Sequence, residues 1–268
     1  MTDNQYLFMN TILIIGGGNM GTALLERVRK HFKVLVCEQN PQRAGYLRRK
    51  YKIVLADLAT AVKKSHIVIL AVKPQDIDEV LENLRPFADK KLMISIAAGI
   101  TISYLEKKLG GGVRVIRTMP NMPAQIGEGI TAIAAGKFTK STDVKLTQKI
   151  FNLVGKTIIV EENVLDCVTA VSGSGPAYVF LFVECFIKAA QTLGLDAAQS
   201  KVLVYQTLLG SAHLLKQSKD SAAELRAKVT SKGGTTQAAI DVLTAYNIEK
   251  AFIDAFAAAK RRAGELAK

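Results

Sequence analysis

Tryptophan is missing from this sequence, and cysteine and histidine are scarce, with three of each among 268 residues. Cys37, Cys167 and Cys185 are odd in number and widely separated, and no CxxC or Cys/His pairing stands at metal-ligand spacing. A disulfide framework and a zinc module are therefore excluded, and the thiols read as small buried or half-buried residues of a reducing compartment. His31, His66 and His213 are equally scattered, which leaves no metal site and no base for a Ser–His or Cys–His pair. Apolar runs fall short of membrane length: the most apolar stretch, Ala177 to Ile187, is too short for a bilayer and carries Glu184. The opening MTDNQYLFMN lacks the basic start and apolar run of a secretion signal, and Met9 offers an alternative start within it. The expectation is a cytoplasmic protein that does not span a membrane.

Acidic residues are in deficit too, 23 against 36 Lys and Arg, for a net charge of +13. Nucleic-acid binders are often this basic. Here, however, the charge is spread in short clusters such as Arg48-Arg49-Lys50, Lys63-Lys64, Lys107-Lys108 and Lys260-Arg261-Arg262. Most of these sit on polar faces or ends of predicted helices, where charge is solvated. No helix-turn-helix, RNA-binding signature or aromatic-interleaved basic stripe accompanies them, so a nucleic-acid partner is not expected. A basic surface still attracts anionic nucleotides and carboxylates modestly. With 49% apolar residues, a chain of this length buries a sizeable core in one large domain or two smaller ones.

What is present begins with Thr11 to Ile15, a β-branched apolar run followed at once by Gly16-Gly17-Gly18-Asn19-Met20-Gly21. This is G-x-G-x-x-G between a strand and an amphipathic helix pattern, Thr22 to Lys30. Gly16 would allow the tight turn, Gly18 the close approach of a pyrophosphate, and Gly21 the packing of helix on sheet. Free amides and the positive end of the helix dipole would meet the phosphates. A second apolar run, Val34 to Cys37, ends in Glu38, where an acid can reach an adenosine ribose. Further runs at Ile67 to Val72 and Leu92 to Ile96 alternate with helical patterns, which predicts a parallel sheet covered on both faces. Its strand ends read Ala71-Val72-Lys73-Pro74, Ala97-Ala98-Gly99 and Met119-Pro120-Asn121, small residues where a nucleotide must pass.

From about Glu161 the texture becomes helical. Pro176 suits the start of a helix running to Leu193, and Gly194 suits its C-terminal cap. Asp196 followed by Gln199 resembles a capping box opening a helix to about Gln217. Shorter helices are predicted over Ala222–Val229 and Thr236–Ala245, with a last one from Ile248 to about Leu266. The domains are therefore 1–162 and 163–268. The segment Ala177 to Val183 is apolar nearly all round, which marks a helix buried on every side, most simply by a second subunit.

The loop Thr230-Ser231-Lys232-Gly233-Gly234-Thr235-Thr236 carries more than a helix connection requires. Thr235 or Thr236 would cap the next helix. Gly233 and Gly234 free the backbone amides to form an anion nest, and Ser231, Thr235 and Thr236 add hydroxyls. A plain glycine-bearing turn between helices is the alternative. Beside a dinucleotide site, the pattern implies hydride transfer to a small substrate bearing a carboxylate.

These residues resemble the pyrroline-5-carboxylate reductase family over nearly the whole chain. The resemblance rests on Gly16 to Gly21, Ala71 to Pro74, Ser95-Ile96-Ala97-Ala98-Gly99, Ser172-Gly173-Ser174-Gly175-Pro176-Ala177-Tyr178 and, above all, Val229 to Thr236. It implies an α/β fold: an N-terminal Rossmann-type dinucleotide-binding domain followed by an all-helical dimerisation domain, with the homodimer sometimes part of a larger ring. It implies reduction of 1-pyrroline-5-carboxylate to L-proline, with Thr236 beside the ring nitrogen and Ser231, Gly233, Gly234, Thr235 and Thr236 at the substrate. Gly16, Gly18, Asn19, Met20, Gly21, Glu38, Ala71, Val72, Lys73, Pro74 and Ala98 would hold the cofactor. Two positions depart from the family. Lys232 stands where it commonly has proline, and Ser218-Lys219-Asp220-Ser221 replaces its acid followed by His-Pro.

Two other readings are weaker. A β-hydroxyacid dehydrogenase wants a lysine base early in the first long helix, and Pro176 to Glu184 contains none. A non-catalytic dinucleotide-binding regulator has no use for a hydroxyl-rich nest. The cofactor is NADPH or NADH. Glu38 leans toward NADH because it would repel a 2′-phosphate, while Gln39, Asn40 and Arg43 lean the other way.

Overall fold

A computed structural model describes residues 10–53 and 55–267, and the alternative start at Met9 lies outside the described residues. The chain divides into two compact units, Met1–Pro176 with Ala259–Lys268, and Ala177–Ala258. The division falls later than the 162/163 boundary read from the sequence. The reason is that the long helical run starts inside the first unit, where Leu165 is buried in the sheet's core.

The first unit is built on β1 (Thr11–Ile15), β2 (Lys33–Cys37), β3 (Ile67–Leu70), β4 (Leu92–Ser95), β5 (Arg114–Met119), β6 (Gly129–Ala135) and β7 (Gly155–Ile159). They form one sheet in the order β2-β1-β3-β4-β5-β6-β7. The expected parallel sheet holds for β1 to β5, but β6 pairs antiparallel to β5 and β7 runs parallel to β6. A short connection through the 3₁₀ turn Met122–Ile126 returns the chain at once to the neighbouring strand. A parallel neighbour would have needed a crossover of about a dozen residues or more.

Alternate residues of each strand serve opposite faces. Leu13, Ile15, Val68, Leu70 and Met93 join one core cluster. Ile12, Ile14, Ile67, Ile69, Leu92 and Ile94 join the other. Each such side chain contributes about 1.5–3 kcal/mol on burial. Covering helices are α1 (Asn19–Val28), α2 (Pro41–Tyr51), α3 (Leu58–Lys64), α4 (Ile77–Leu84), α5 (Ile102–Leu109) and α6 (Ser141–Phe151). In α1 the buried residues Leu24, Leu25 and Val28 lie on one face. Because β1 has β2 on one side and β3 on the other, the strand order reverses there, and the crevice lies past the strands' carboxyl ends.

The helical run comprises α7 (Leu165–Val168), a π-helical turn at Thr169–Gly173 and α8 (Gly175–Thr192). The helix α8 ends as expected. Gly194 is left-handed at φ +96°, its N–H donates to Gln191 O at 3.0 Å, and Leu195 N–H donates to Ala190 O at 3.3 Å. The predicted capping box opens α9 (Ala197–Gln217): Asp196 Oδ1 accepts from Gln199 N at 2.8 Å, and Gln199 Oε1 accepts from Asp196 N at 3.1 Å. The remaining helices are α10 (Ala222–Lys228), α11 (Thr235–Ala245) and α12 (Ile248–Glu265).

Within the second unit Tyr178 stacks against Phe256 with ring centroids 5.1 Å apart. Yet Phe180, Leu181 and Phe182 are 51%, 59% and 46% exposed in the single chain, and Cys185 is exposed rather than buried. The helical run Glu162–Thr192, whose most apolar 18-residue window has a mean hydropathy of 1.5, is also longer than the apolar segment read from sequence. By length and composition alone it is sufficient to cross a membrane.

Candidate active site

The cofactor loop is shaped by what would collide if its glycines had side chains. Gly16 has φ +100°, and a Cβ there would stand 2.5 Å from the Ala71 carbonyl oxygen. The backbones of β1 and β3 can approach this closely only with glycine at that turn. A Cβ at Gly21 would collide with the Gly16 carbonyl oxygen, whereas Gly18 faces open space. Thr22 Oγ1 donates to Gly17 O at 2.9 Å and pins the loop to the first turn of α1. The N-cap of α1 is Gly18, with no side-chain cap. The amides at the helix start therefore remain available to an anion.

Glu38 lies beside this loop. Its Oε2 accepts from Gly17 N at 2.6 Å and its Oε1 from Asn40 N at 2.8 Å. The carboxylate thus ties the β1–α1 loop to the β2–α2 loop, and lone pairs remain for a ribose hydroxyl. Asn40 caps α2 by accepting from Arg43 N at 3.0 Å, and Arg43 Nη2 reaches Asn19 Oδ1 at 3.4 Å. The glycine motif does not announce Thr22 or the capping role of Asn40, although Asn40-Pro41 is a recognisable helix start. Cys37 donates to Ala56 O at 3.1 Å. Burial, reinforced by Asp57, raises its thiol to about 11, so it is no nucleophile.

The other expected cofactor residues end β3 and β4. Ala71 N donates to Ile15 O at 2.8 Å, Val72 is half-buried against the core, and Lys73 precedes the 3₁₀ turn that Pro74 begins. Met20 packs on the second core cluster, and Ala98 is half-buried in the loop after β4. The first unit brings Gly16, Gly18, Asn19, Met20, Gly21, Glu38 and Ala71 together around the switch point.

Ser231, Gly233, Gly234, Thr235 and Thr236 lie together in the second unit, on the loop from α10 to α11. Gly233 is left-handed at φ +72°. The N-cap of α11 is Gly234, not Thr235 or Thr236, and no side chain caps the helix. Because the chain enters the helix one residue earlier than expected, Thr235 and Thr236 occupy its first two positions and neither side chain caps it. Gly234 N–H is spent on Ser231 O at 3.0 Å. The uncapped donors are therefore the first-turn amides of Thr235, Thr236 and Gln237. Thr230 Oγ1 turns back to Arg226 O at 2.7 Å. Asp220, in the departing stretch, is held by Lys228 Nζ at 2.6 Å and bonds Ser218 Oγ at 3.1 Å, which makes it a structural acid.

Comparison with known proteins matches two separate regions of the chain, the second beginning at residue 162, earlier than the second compact unit. Residues 162–266 match the family model for pyrroline-5-carboxylate reductase dimerisation, and residues 11–99 match one described as NADP oxidoreductase, coenzyme F420-dependent. The pyrroline-5-carboxylate reductase of Synechocystis sp. is 41% identical over 95% of this chain and 97% of its own. That of Mycobacterium tuberculosis is 38% identical over 96% and 97%. A structure of the reductase from Coxiella burnetii superposes with a TM-score of 0.89 at 35% identity, covering 96% of this chain and 98% of that one. The Plasmodium falciparum enzyme, solved with NADP bound, gives 0.87 at 30% identity, covering 97% and 98%. On sequence and fold alike, the chain belongs to the pyrroline-5-carboxylate reductase family.

Proposed function

We propose that this chain reduces 1-pyrroline-5-carboxylate to L-proline with NADPH or NADH. The observation that carries the reading is the α10–α11 loop, one short segment that carries uncapped helix amides together with Ser231 and Thr236. Among the described residues nothing hydrogen-bonds that hydroxyl, and Thr236 is half-buried. The open space at Gly18 and the uncapped start of α1 fit a pyrophosphate. When bound, the reduced nicotinamide supplies the hydride that the imine carbon accepts. Ser231, Gly233 and the first-turn amides hold the carboxylate, and Thr236 Oγ1 hydrogen-bonds the ring nitrogen so that its proton stays in place. A protonated C=N is already electrophilic, so positioning and preorganised hydrogen bonds supply most of the catalysis. No general base is required, unlike the alcohol chemistry of a hydroxyacid dehydrogenase.

Glu38 accepts from the ribose and favours NADH, against the opposing pull of Arg43. The apolar face of α8 is covered by a second copy, giving a homodimer that can assemble into a larger ring. The matched dimerisation region supports this over insertion of the 162–192 run into a membrane, and a soluble dimer fits a cytoplasmic enzyme. Oxidation of NADH or NADPH on adding pyrroline-5-carboxylate, compared with reduction of NAD or NADP by a panel of hydroxy acids, tests the reading. Turnover with the imine alone is expected; turnover with a hydroxy acid instead would transfer the chain to the rival chemistry.

A further inference from the structure

Arg117 lies within β5 and is only 6% exposed, a place where an unpaired guanidinium is strongly disfavoured. Its Nη1 meets Glu162 Oε1 at 3.2 Å and its Nη2 meets Asp166 Oδ1 at 3.6 Å. The same Glu162 oxygen accepts from the backbone N–H of Ile102 at 2.7 Å. Ile102 opens α5, immediately after the β4–α5 loop that carries Ala98. The N-cap Thr101 adds a bond from Tyr104 N at 3.2 Å.

The loop is also held from another side. Gly99 has φ +76°, and a Cβ there would stand 2.6 Å from Leu266 O and 3.4 Å from Ala267 N. The absent side chain lets the C-terminal end of the chain lie against the loop. A Cβ at Gly264 would come 3.7 Å from Asp166 Oδ2, so the end of α12 and the 162–166 segment are neighbours as well. All these residues belong to the first unit. Inside the loop, the backbone bond from Ile100 N to Ala97 O is long, at 3.4 Å. The loop therefore depends on what is packed around it.

We propose that Arg117 and Glu162 are positioning residues for the reduction, acting through the β4–α5 loop. Glu162 converts the buried charge of β5 into a fixed position for Ile102, and with it for Ala98 and Gly99. This rests on the reading of Ala98 as a contact of the cofactor. A misplacement of about 1 Å at a reacting group is enough to cost on the order of 10²-fold in rate.

The test uses the full-length protein and three variants at side chains that are about a third exposed, Glu162 and Asp166, so that folding survives. Glu162→Ala removes both the ion pair and the bond to Ile102. Glu162→Gln keeps an oxygen for Ile102 and loses the charge. Asp166→Asn weakens only the longer contact to Arg117. The readouts are kcat, the KM of the imine, nucleotide affinity from nicotinamide fluorescence, the primary isotope effect with 4-deuterated nucleotide, and amide exchange of residues 97–104. For Glu162→Ala we expect kcat to fall about tenfold or more, with KM and nucleotide affinity within about twofold and a larger isotope effect. Exchange should quicken at 97–104 alone. Glu162→Gln should recover much of the loss, and Asp166→Asn should lose less than about threefold. Unchanged kcat and exchange in Glu162→Ala would overturn the proposal. So would a loss that tracks the melting temperature while the isotope effect stays fixed. Exchange and nucleotide affinity need no turnover, so they decide the anchoring even if the imine proves not to be the substrate.

Discussion

Replacing Gly234 with alanine separates the substrate role of the α10–α11 loop from its role as a helix connection. Gly234 has φ −84° and ψ 176°, an extended conformation that alanine adopts without strain. The new methyl group would overlap Ser231 Oγ and lie 3.2 Å from Ser231 O, so the hydroxyl must swing away. As a helix cap, alanine is worse than glycine by only about 0.5 kcal/mol. If Ser231 holds the carboxylate, displacing it removes a hydrogen bond to a charged group, worth about 1.5–3 kcal/mol. At 1.4 kcal/mol per decade, the KM of the imine should rise about 10- to 100-fold. The KM of the nucleotide should not move. Gly233→Ala provides the contrast, because its φ of +72° lies in open space. It should cost about 1 kcal/mol of stability through backbone strain alone, with a smaller effect on KM. Steady-state kinetics with each substrate varied, alongside thermal melts, distinguish the cases. Equal weakening of imine and nucleotide in Gly234→Ala, or no change in either, would refute the carboxylate assignment.

Other perturbations test the remaining parts. Thr236→Val keeps the shape and removes the hydroxyl; kcat should fall by up to about 10²-fold with the melting temperature nearly unchanged, and full activity would show that the hydroxyl serves only the fold. The melting temperature should rise with protein concentration if α8 is covered by a second copy, and Phe182→Asp should dissociate or unfold the protein; a stable, active monomer by light scattering contradicts the dimer. Glu38→Ser should shift kcat/KM toward NADPH by about tenfold, since a close like charge costs about 1–2 kcal/mol at an effective dielectric near 20. It should also weaken both nucleotides by untying Gly17 from Asn40. If NADPH already wins and the ratio stays fixed, Glu38 does not read the ribose. Burial first, then Glu162, raise the Glu106 carboxyl against the pull of Lys137, and its Oε1 has no hydrogen-bond partner among the described residues. The folded state thus holds this proton more tightly than the unfolded chain, so stability falls as pH rises from the ordinary carboxylate range through the raised value. Glu106→Gln should flatten that fall in melts across the range, and an unchanged pH profile would refute it.

The parts legible in the sequence are those set by local backbone chemistry. Gly16 and Gly21 announce a turn where the Ala71 carbonyl and the loop's own backbone leave no room for a side chain. Asp196 with Gln199, and Gly194, mark helix ends through bonds made within a few residues. Long-range features stayed hidden. Strand β6 has most of its residues buried, so it shows no alternation to reveal it, and its direction depends on pairing with β5. Arg117, Glu162 and Ile102 are joined by contacts across 45 and 60 positions, which no motif records. The start of α11 was misplaced by one residue because threonine is a good cap and glycine a tolerable one. Most of the apolar α8, expected to be buried by a second subunit, is exposed in the single chain.

The loop from Ser231 to Thr236 is proposed to hold an imino-acid carboxylate. A crystal structure of the complete protein with NADP and L-proline tests it most directly. The proline carboxylate is expected within about 2.7–3.2 Å of Ser231 Oγ and the first-turn amides of α11, with Thr236 Oγ1 at a similar distance from the ring nitrogen. Proline bound elsewhere, or bound with its carboxylate turned away from this loop, would contradict it.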